Sequence, residues 1–239
     1  MKKPLAIVSL LAAAMMAGCS EQPQAPAESQ APTQPASATA SAASAFVEGQ
    51  HYSVVDPQGQ SEGPLVTEYF SLYCGACYNM ESRFLPMIVP MLESQSIGFE
   101  QKHVNFAGNQ TGEDVLRGYA ILQQTTSGEQ QKQLKETLFE ILGGKHHDHS
   151  AHNHDDPQVE NLADLRAIFV DAGVDGTAFD AAASSDVVNQ AVVDWQKEQV
   201  QYQVQSVPSF VVNNRYLINM REVETLEQLV NLMGYLSAK

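Results

Sequence analysis

The most constraining stretch in this chain is Pro64-Leu-Val-Thr-Glu-Tyr-Phe70, which runs through three residues into Cys74-Gly-Ala-Cys77. The first run is rich in β-branched and aromatic residues and predicts a central, buried strand. From Cys77 the segment CYNMESRFLPMIVPML places apolar residues at helical spacing, with Pro86 expected to kink or break the helix. Ile97 to Phe106 alternates again and predicts a second strand. Strand, helix and strand in this order imply a right-handed crossover between parallel strands. The two cysteines therefore fall where a strand hands over to a helix.

After Phe106 the pattern turns helical. Val115, Leu116, Tyr119 and Leu122 share one face, as do Leu134, Leu138, Ile141 and Leu142. Asn161 suits the N-cap of LADLRAIFVDAG, with Gly173 closing it. Thr177 is expected to start a short helix, and DVVNQAVVDWQKEQ reads as a longer one. Strand signal returns at VPSFVVNNRYLIN, where Asn213-Asn214 offers a tight hairpin turn, and VETLEQLVNLMGYL fits a final helix. The expected order is β-α-β, a helical block, then β-β-α. Trp195, on an apolar helical face, is expected to be core; His51 and His103 are expected to pack rather than react.

Residues 1–18 have Lys2 and Lys3, an apolar run from Leu5 and small residues at the close, and read as an export signal. The run is shorter than the roughly 20 residues that span a bilayer. Met16-Ala17-Gly18-Cys19 resembles a bacterial lipoprotein box, which implies cleavage before Cys19 and lipid on that residue. Ordinary secretion, with Cys19 incidental, is the alternative. Acyl chains, at about 0.8 kcal/mol per buried CH₂, would anchor the protein at a membrane. Ser20 to Ala45 is almost wholly Ala, Pro, Gln, Ser and Thr, a composition that cannot offset ordering entropy. It reads as a disordered tether with a full reach of roughly 80–90 Å. Loss of Lys2 and Lys3 leaves 11 basic against 28 acidic residues, a net charge of −17 in place of −15. Such a surface argues against nucleic-acid and anionic-lipid binding.

An exported bacterial protein meets conditions in which disulfides persist. With Cys19 assigned to lipid, only Cys74 and Cys77 remain, too few for a structural framework. A sulfur at the helix start faces unpaired backbone N–H groups and the positive helix end, which favour thiolate over thiol. Cys77 lies one turn on, close enough to close a small ring. The competing reading is half a zinc site, which would need two further ligands from elsewhere.

An α/β framework split by a helical block, with a strand leading into Cys-x-x-Cys, resembles the DsbA family of thiol–disulfide oxidoreductases. The likeness runs from about Phe46 to Leu236 and rests on FVEGQHY, EYFSLYCGACYNME, HVNF, IFVDAGV and VPSFVVNNRYLIN. It implies a thioredoxin fold with an inserted α-helical domain. Residues 1–18 would then be the signal, 19–45 the lipidated cysteine and tether, 46–107 and 196–239 the thioredoxin-like domain, and 108–195 the helical insertion with a His-rich loop at 145–156. In the family an acid at the place of Glu68 moves a proton to or from the sheltered cysteine, a role that passes to Glu68 for Cys77. The other reading of Glu68 is a solvated, edge-facing side chain. The family's cis-proline loop contacts substrate, which names Val207 and Pro208. Cys74 and Cys77 would form the redox-active disulfide.

Exported reduced or misoxidised proteins are the implied substrates, and a membrane partner of the DsbB type the implied re-oxidant. No cofactor is implied, and a monomer is expected. The departure is Gly75-Ala76, where strong oxidants of the family usually carry Pro-His; Ala76 supplies neither charge nor donor, so a weaker oxidant is expected. A reductase or isomerase is the alternative, although superfamily isomerases usually add an N-terminal dimerisation domain. From another class, a metal-handling lipoprotein could use Cys74, Cys77 and His146, His147, His149, His152 and His154, which lie beside Asp148, Asp155 and Asp156. Nothing in the histidine spacing fixes a coordination geometry, so a solvated loop with adventitious affinity is the favoured reading.

Overall fold

The computed structural model describes residues 46–143 and 159–239. The export signal, Cys19, the tether and the five loop histidines lie outside the described residues.

Among the described residues five strands form one sheet in the order β1-β5-β4-β2-β3: β1 (Tyr52–Val54), β2 (Leu65–Phe70), β3 (Gly98–His103), β4 (Ser209–Val212) and β5 (Tyr216–Ile218). β2 is parallel to β3, as the crossover predicts, and antiparallel to β4. Its paired position on both sides explains why its side chains from Val66 to Phe70 are buried. β1 escaped the sequence reading because three residues at a sheet edge carry too little alternation to register. β3 is shorter than the expected Ile97–Phe106. Val104 still donates to the Phe70 carbonyl, but past Phe70 the partner strand leaves the sheet toward Cys74 and offers no ladder.

The helix after the cysteines runs in three pieces: α1 (Gly75–Asn79), a wide π turn at Met80–Phe84, and α2 (Leu85–Glu93). Pro86 lacks the N–H that would bond one turn back, and the chain widens ahead of it. The break therefore precedes Pro86, while Pro90 is carried inside α2. Among the described residues five helices lie between β3 and β4: α3 (Gln110–Thr125), α4 (Gly128–Gly143), α5 (Leu162–Asp171), α6 (Gly176–Ala183) and α7 (Asp186–Gln201). Side-chain caps fix their starts. Asn161 caps α5 in a reciprocal box with Asp164, as its position predicts. α6 begins one residue before Thr177 because Asp175, not Thr177, accepts the bond from Ala178 N–H.

Among the described residues three buried clusters fill the interior, two of them large, with a smaller one around Tyr69, Tyr202 and Val211. One of the large clusters joins Phe70, Leu72 and Cys77 to the helical block through residues such as Leu116, Leu138, Phe169 and Trp195. The other sets Val66 and Phe210 of the sheet against α2 and the final helix α8 (Leu226–Ser237). Asn213 and Asn214, with φ of +52° and +56°, make the predicted hairpin turn between β4 and β5. Asn213 also accepts from Leu65 N–H at 3.0 Å and donates to the Ser237 carbonyl at 3.1 Å, tying the hairpin to β2 and α8. Among the described residues no helix is long and apolar enough to cross a membrane.

Candidate active site

Cys74 is the N-cap of α1, with extended backbone, and its sulfur accepts the N–H of Cys77 at 3.1 Å. Ser, Thr, Asp or Asn usually close a helix in this way. Here the capping atom is also the reactive one. Cys74 is half-buried, whereas Cys77 is 1% exposed, and both are free thiols in this structure. The hydrogen bond from the Cys77 thiol is the largest influence on Cys74. Together with the backbone N–H groups of Cys77 and Ala76, and against the opposing effect of burial, it pulls the Cys74 thiol down to about 6. Cys77 is driven the other way by that bond to Cys74, by burial and by the nearby charge of Glu68. The two sulfurs are thus driven apart, with the thiolate favoured at Cys74 and the thiol at Cys77.

The Val207–Pro208 peptide is cis, and the Val207 carbonyl oxygen lies 3.5 Å from the Cys74 sulfur. The loop named from sequence thus reaches the half-buried Cys74 from β4's side. Next to it opens a cavity of about 290 Å³ lined by Tyr73, Cys74, Val104, Phe106 and Val207. Tyr73 and Phe106 at its rim are both exposed.

Glu68 is not the solvated edge acid of the alternative reading; it is 1% exposed, in the middle of the sheet. Burial pushes its carboxyl up to about 8, against the lowering effect of a hydrogen bond from Gln101. At neutral pH it is therefore mostly protonated and can act as an acid or, slightly higher, as a base.

Three further residues at this place were not foreseen. Gln101, opposite Glu68 in the parallel register, donates to Glu68 Oε2 and to Glu81 Oε2, each at 2.8 Å. Lys135 of α4 donates to Gln101 Oε1 at 2.9 Å and pairs with Glu81 at 2.6 Å. The one hint in the sequence is a lysine next to Leu134 and Leu138 on an apolar helical face.

His103 packs as expected. Its Nε2 accepts the Leu72 N–H at 3.0 Å, and burial holds its pKa down to about 3, so it stays neutral. His51 accepts from Val47 N–H, and Trp195 is buried. Among the described residues, no three His, Cys, Asp or Glu side chains gather as a metal site would require.

Comparison with known proteins agrees with this geometry. The sequence profile of the DSBA-like thioredoxin domain matches residues 65–231. The thiol:disulfide interchange protein DsbA of Haemophilus influenzae is 30% identical over 173 residues, covering 72% of this chain and 76% of that protein. DsbA of Escherichia coli K12 is 26% identical over 209 residues, covering 84% and 93%. Among solved structures, the disulfide oxidoreductase DsbA of Proteus mirabilis superimposes with a TM-score of 0.63 at 22% identity, covering 81% of this chain and 98% of its own. DsbA of Pseudomonas aeruginosa gives 0.62 at 20% identity, covering 81% and 93%. With a profile match across well over half its length and a Cys-x-x-Cys pair at the start of α1, this chain belongs to the DSBA-like thioredoxin-domain family, and it is a thiol–disulfide oxidoreductase.

Proposed function

We propose that the protein donates disulfides to exported proteins in the bacterial periplasm, from a membrane to which lipid on Cys19 attaches it. The observation that carries this reading is the Cys74 sulfur, which caps the start of α1 and accepts the Cys77 N–H at 3.1 Å beside a sheltered Cys77, a setting that favours the anion. A good leaving thiolate makes the Cys74–Cys77 disulfide easy to attack.

In the reaction, a substrate thiolate attacks Cys74 Sγ and the Cys74–Cys77 bond breaks. Cys77 leaves with the electron pair and takes a proton from the Glu68 carboxyl. A second substrate thiolate then attacks the substrate sulfur of the mixed disulfide, and Cys74 departs as thiolate. Two electrons pass from the substrate to the enzyme, and the substrate keeps the new disulfide. Val207 and Pro208 line the docking edge beside the Cys74 sulfur, a role supported by the 3.5 Å approach of the Val207 carbonyl. A membrane partner of the DsbB type would take the two electrons in turn, with Glu68 now receiving the Cys77 proton. Residues 46–107 and 196–239 would form the thioredoxin-like domain around this chemistry, and residues 108–195 its helical insertion.

The test is oxidation of reduced ribonuclease and reduction of insulin in metal-free buffer. Cys74→Ser should abolish both, and deletion of residues 145–156 should leave both intact; activity surviving Cys74→Ser would end the reading. Thiol trapping in cells fixes direction, since a donor is found mostly oxidised. A mostly reduced pair would favour the reductase or isomerase reading, to which the missing Pro-His dipeptide lends weight. Membrane attachment should be lost in Cys19→Ala.

A further inference from the structure

We propose that Lys135, contributed by the helical block, acts with Gln101 and Glu81 as a positioning device that orients Glu68 and sets the pH at which Glu68 exchanges its proton with Cys77. The inference rests on the role given to Glu68 above.

The Gln101 amide lies at the centre of this cluster. It has two N–H groups, and both are spent on carboxyl oxygens, Glu68 Oε2 and Glu81 Oε2, at 2.8 Å each. Its oxygen faces the Lys135 ammonium at 2.9 Å, with the Tyr119 hydroxyl at 3.5 Å. Turned over, the amide would set its oxygen against two carboxyl groups and its nitrogen against an ammonium. Lys135 therefore locks the amide in one orientation. The locked amide commits Glu68 Oε2 to the strand side, which leaves Oε1 to carry the exchangeable proton.

Charge acts on Glu68 alongside this orientation. The groups that act on Glu68 are Glu81 from the π turn, Lys135 from α4, and Cys74 and Cys77 from α1, with the Tyr119 hydroxyl from α3. β4 carries no charged residue, and the single charge of α8, Glu227, is exposed. Glu81 opposes ionisation of Glu68 and Lys135 favours it. The two are themselves paired at 2.6 Å and mostly shielded from water, so each tempers the other. An apolar residue would pack as well at position 135, next to Leu134 and Leu138, and would need no ion partner. A lysine there is explained by what it does to Gln101 and Glu68. It also gives the helical block a hand in the redox step, because any movement of α4 shifts the cation that faces Gln101.

The experiment uses the full chain carrying a mixed disulfide between Cys74 and glutathione, and follows glutathione release by Cys77 against pH. In the unsubstituted protein the rate rises with pH through one midpoint. Lys135→Met should move that midpoint up by roughly one pH unit, with release about tenfold slower on the acid side. Lys135→Arg should restore it. Glu81→Gln should move it down, because the cation is then unopposed. In a Glu68→Gln background Lys135→Met should shift nothing. An unmoved midpoint in Lys135→Met, shifts of the same sign in Lys135→Met and Glu81→Gln, or an equal shift without Glu68 would each overturn the inference and reduce Lys135 to a structural lysine. If Glu68→Gln alone leaves the profile unchanged, the role of Glu68 itself falls, a result distinct from failure of Lys135.

Discussion

A thiol that titrates near pH 6 in place of its ordinary value near 9 is an anion across the neutral range. Alkylation of Cys74 should therefore rise through about pH 6 and level off, and the thiolate absorbance of the reduced protein should follow the same curve. A rise only near pH 9 would remove the chemistry. Stability is linked to the same shift. Because the folded value is depressed, the stabilisation from Cys74 is fully present above about pH 9 and lost as pH falls through about 6. Glu68 runs in the opposite sense. Its folded value is raised from 4.5 to about 8, so what it contributes is intact below pH 4.5 and lost as pH rises through 8. Glu68→Gln should accordingly stabilise the protein at pH 8, by on the order of 4 kcal/mol, and by almost nothing near pH 4.5. Urea unfolding at the two pH values checks this. Both residues were legible in the sequence, Cys74 by its place between strand and helix and Glu68 by resemblance and by its setting in an apolar strand. Gln101 and Lys135 were not, since they meet Glu68 only after β3 pairs with β2 and α4 folds over the pair.

Among the elements, those with a chemical start or stop were readable and those defined only by a neighbour were not. Asn161, Gly173 and the Asn213-Asn214 turn stand where local side chains put them. β1 and the true end of β3 depend on which strand lies alongside, and no local pattern records that. The hairpin turn is the sharpest case of local chemistry serving the whole sheet. Asn213 adopts φ +52°, accepts from β2 and donates to the end of α8. Asn213→Ala loses both bonds and keeps an awkward backbone, for a cost of roughly 2–3 kcal/mol. Asn213→Gly keeps the backbone conformation easy and should cost less. A thermal melt of the two variants orders them, and equal melting temperatures would place the effect elsewhere.

For the molecule as a whole, the open quantity is how strongly it oxidises. Gly75 occupies the first helical position, which accepts proline well, and Ala76 offers Cys74 a backbone N–H but no side-chain donor. Replacing Gly75-Ala76 with Pro-His should make the couple more oxidising, by roughly 30 mV for each tenfold gain in the equilibrium with glutathione. No change in that equilibrium would mean that the helix start and the Cys77 thiol already supply the whole effect. One consequence of the Cys74 cap reaches past potential. The atom that fastens the first turn of α1 is the atom that takes up the new bond, so oxidation turns a charged fastening into a neutral one. The hydrogen bond that closes the first turn of α1 should thus weaken each time the protein is loaded and strengthen each time it delivers. Deuterium uptake at the Cys77 amide should be faster in the loaded form than in the spent one.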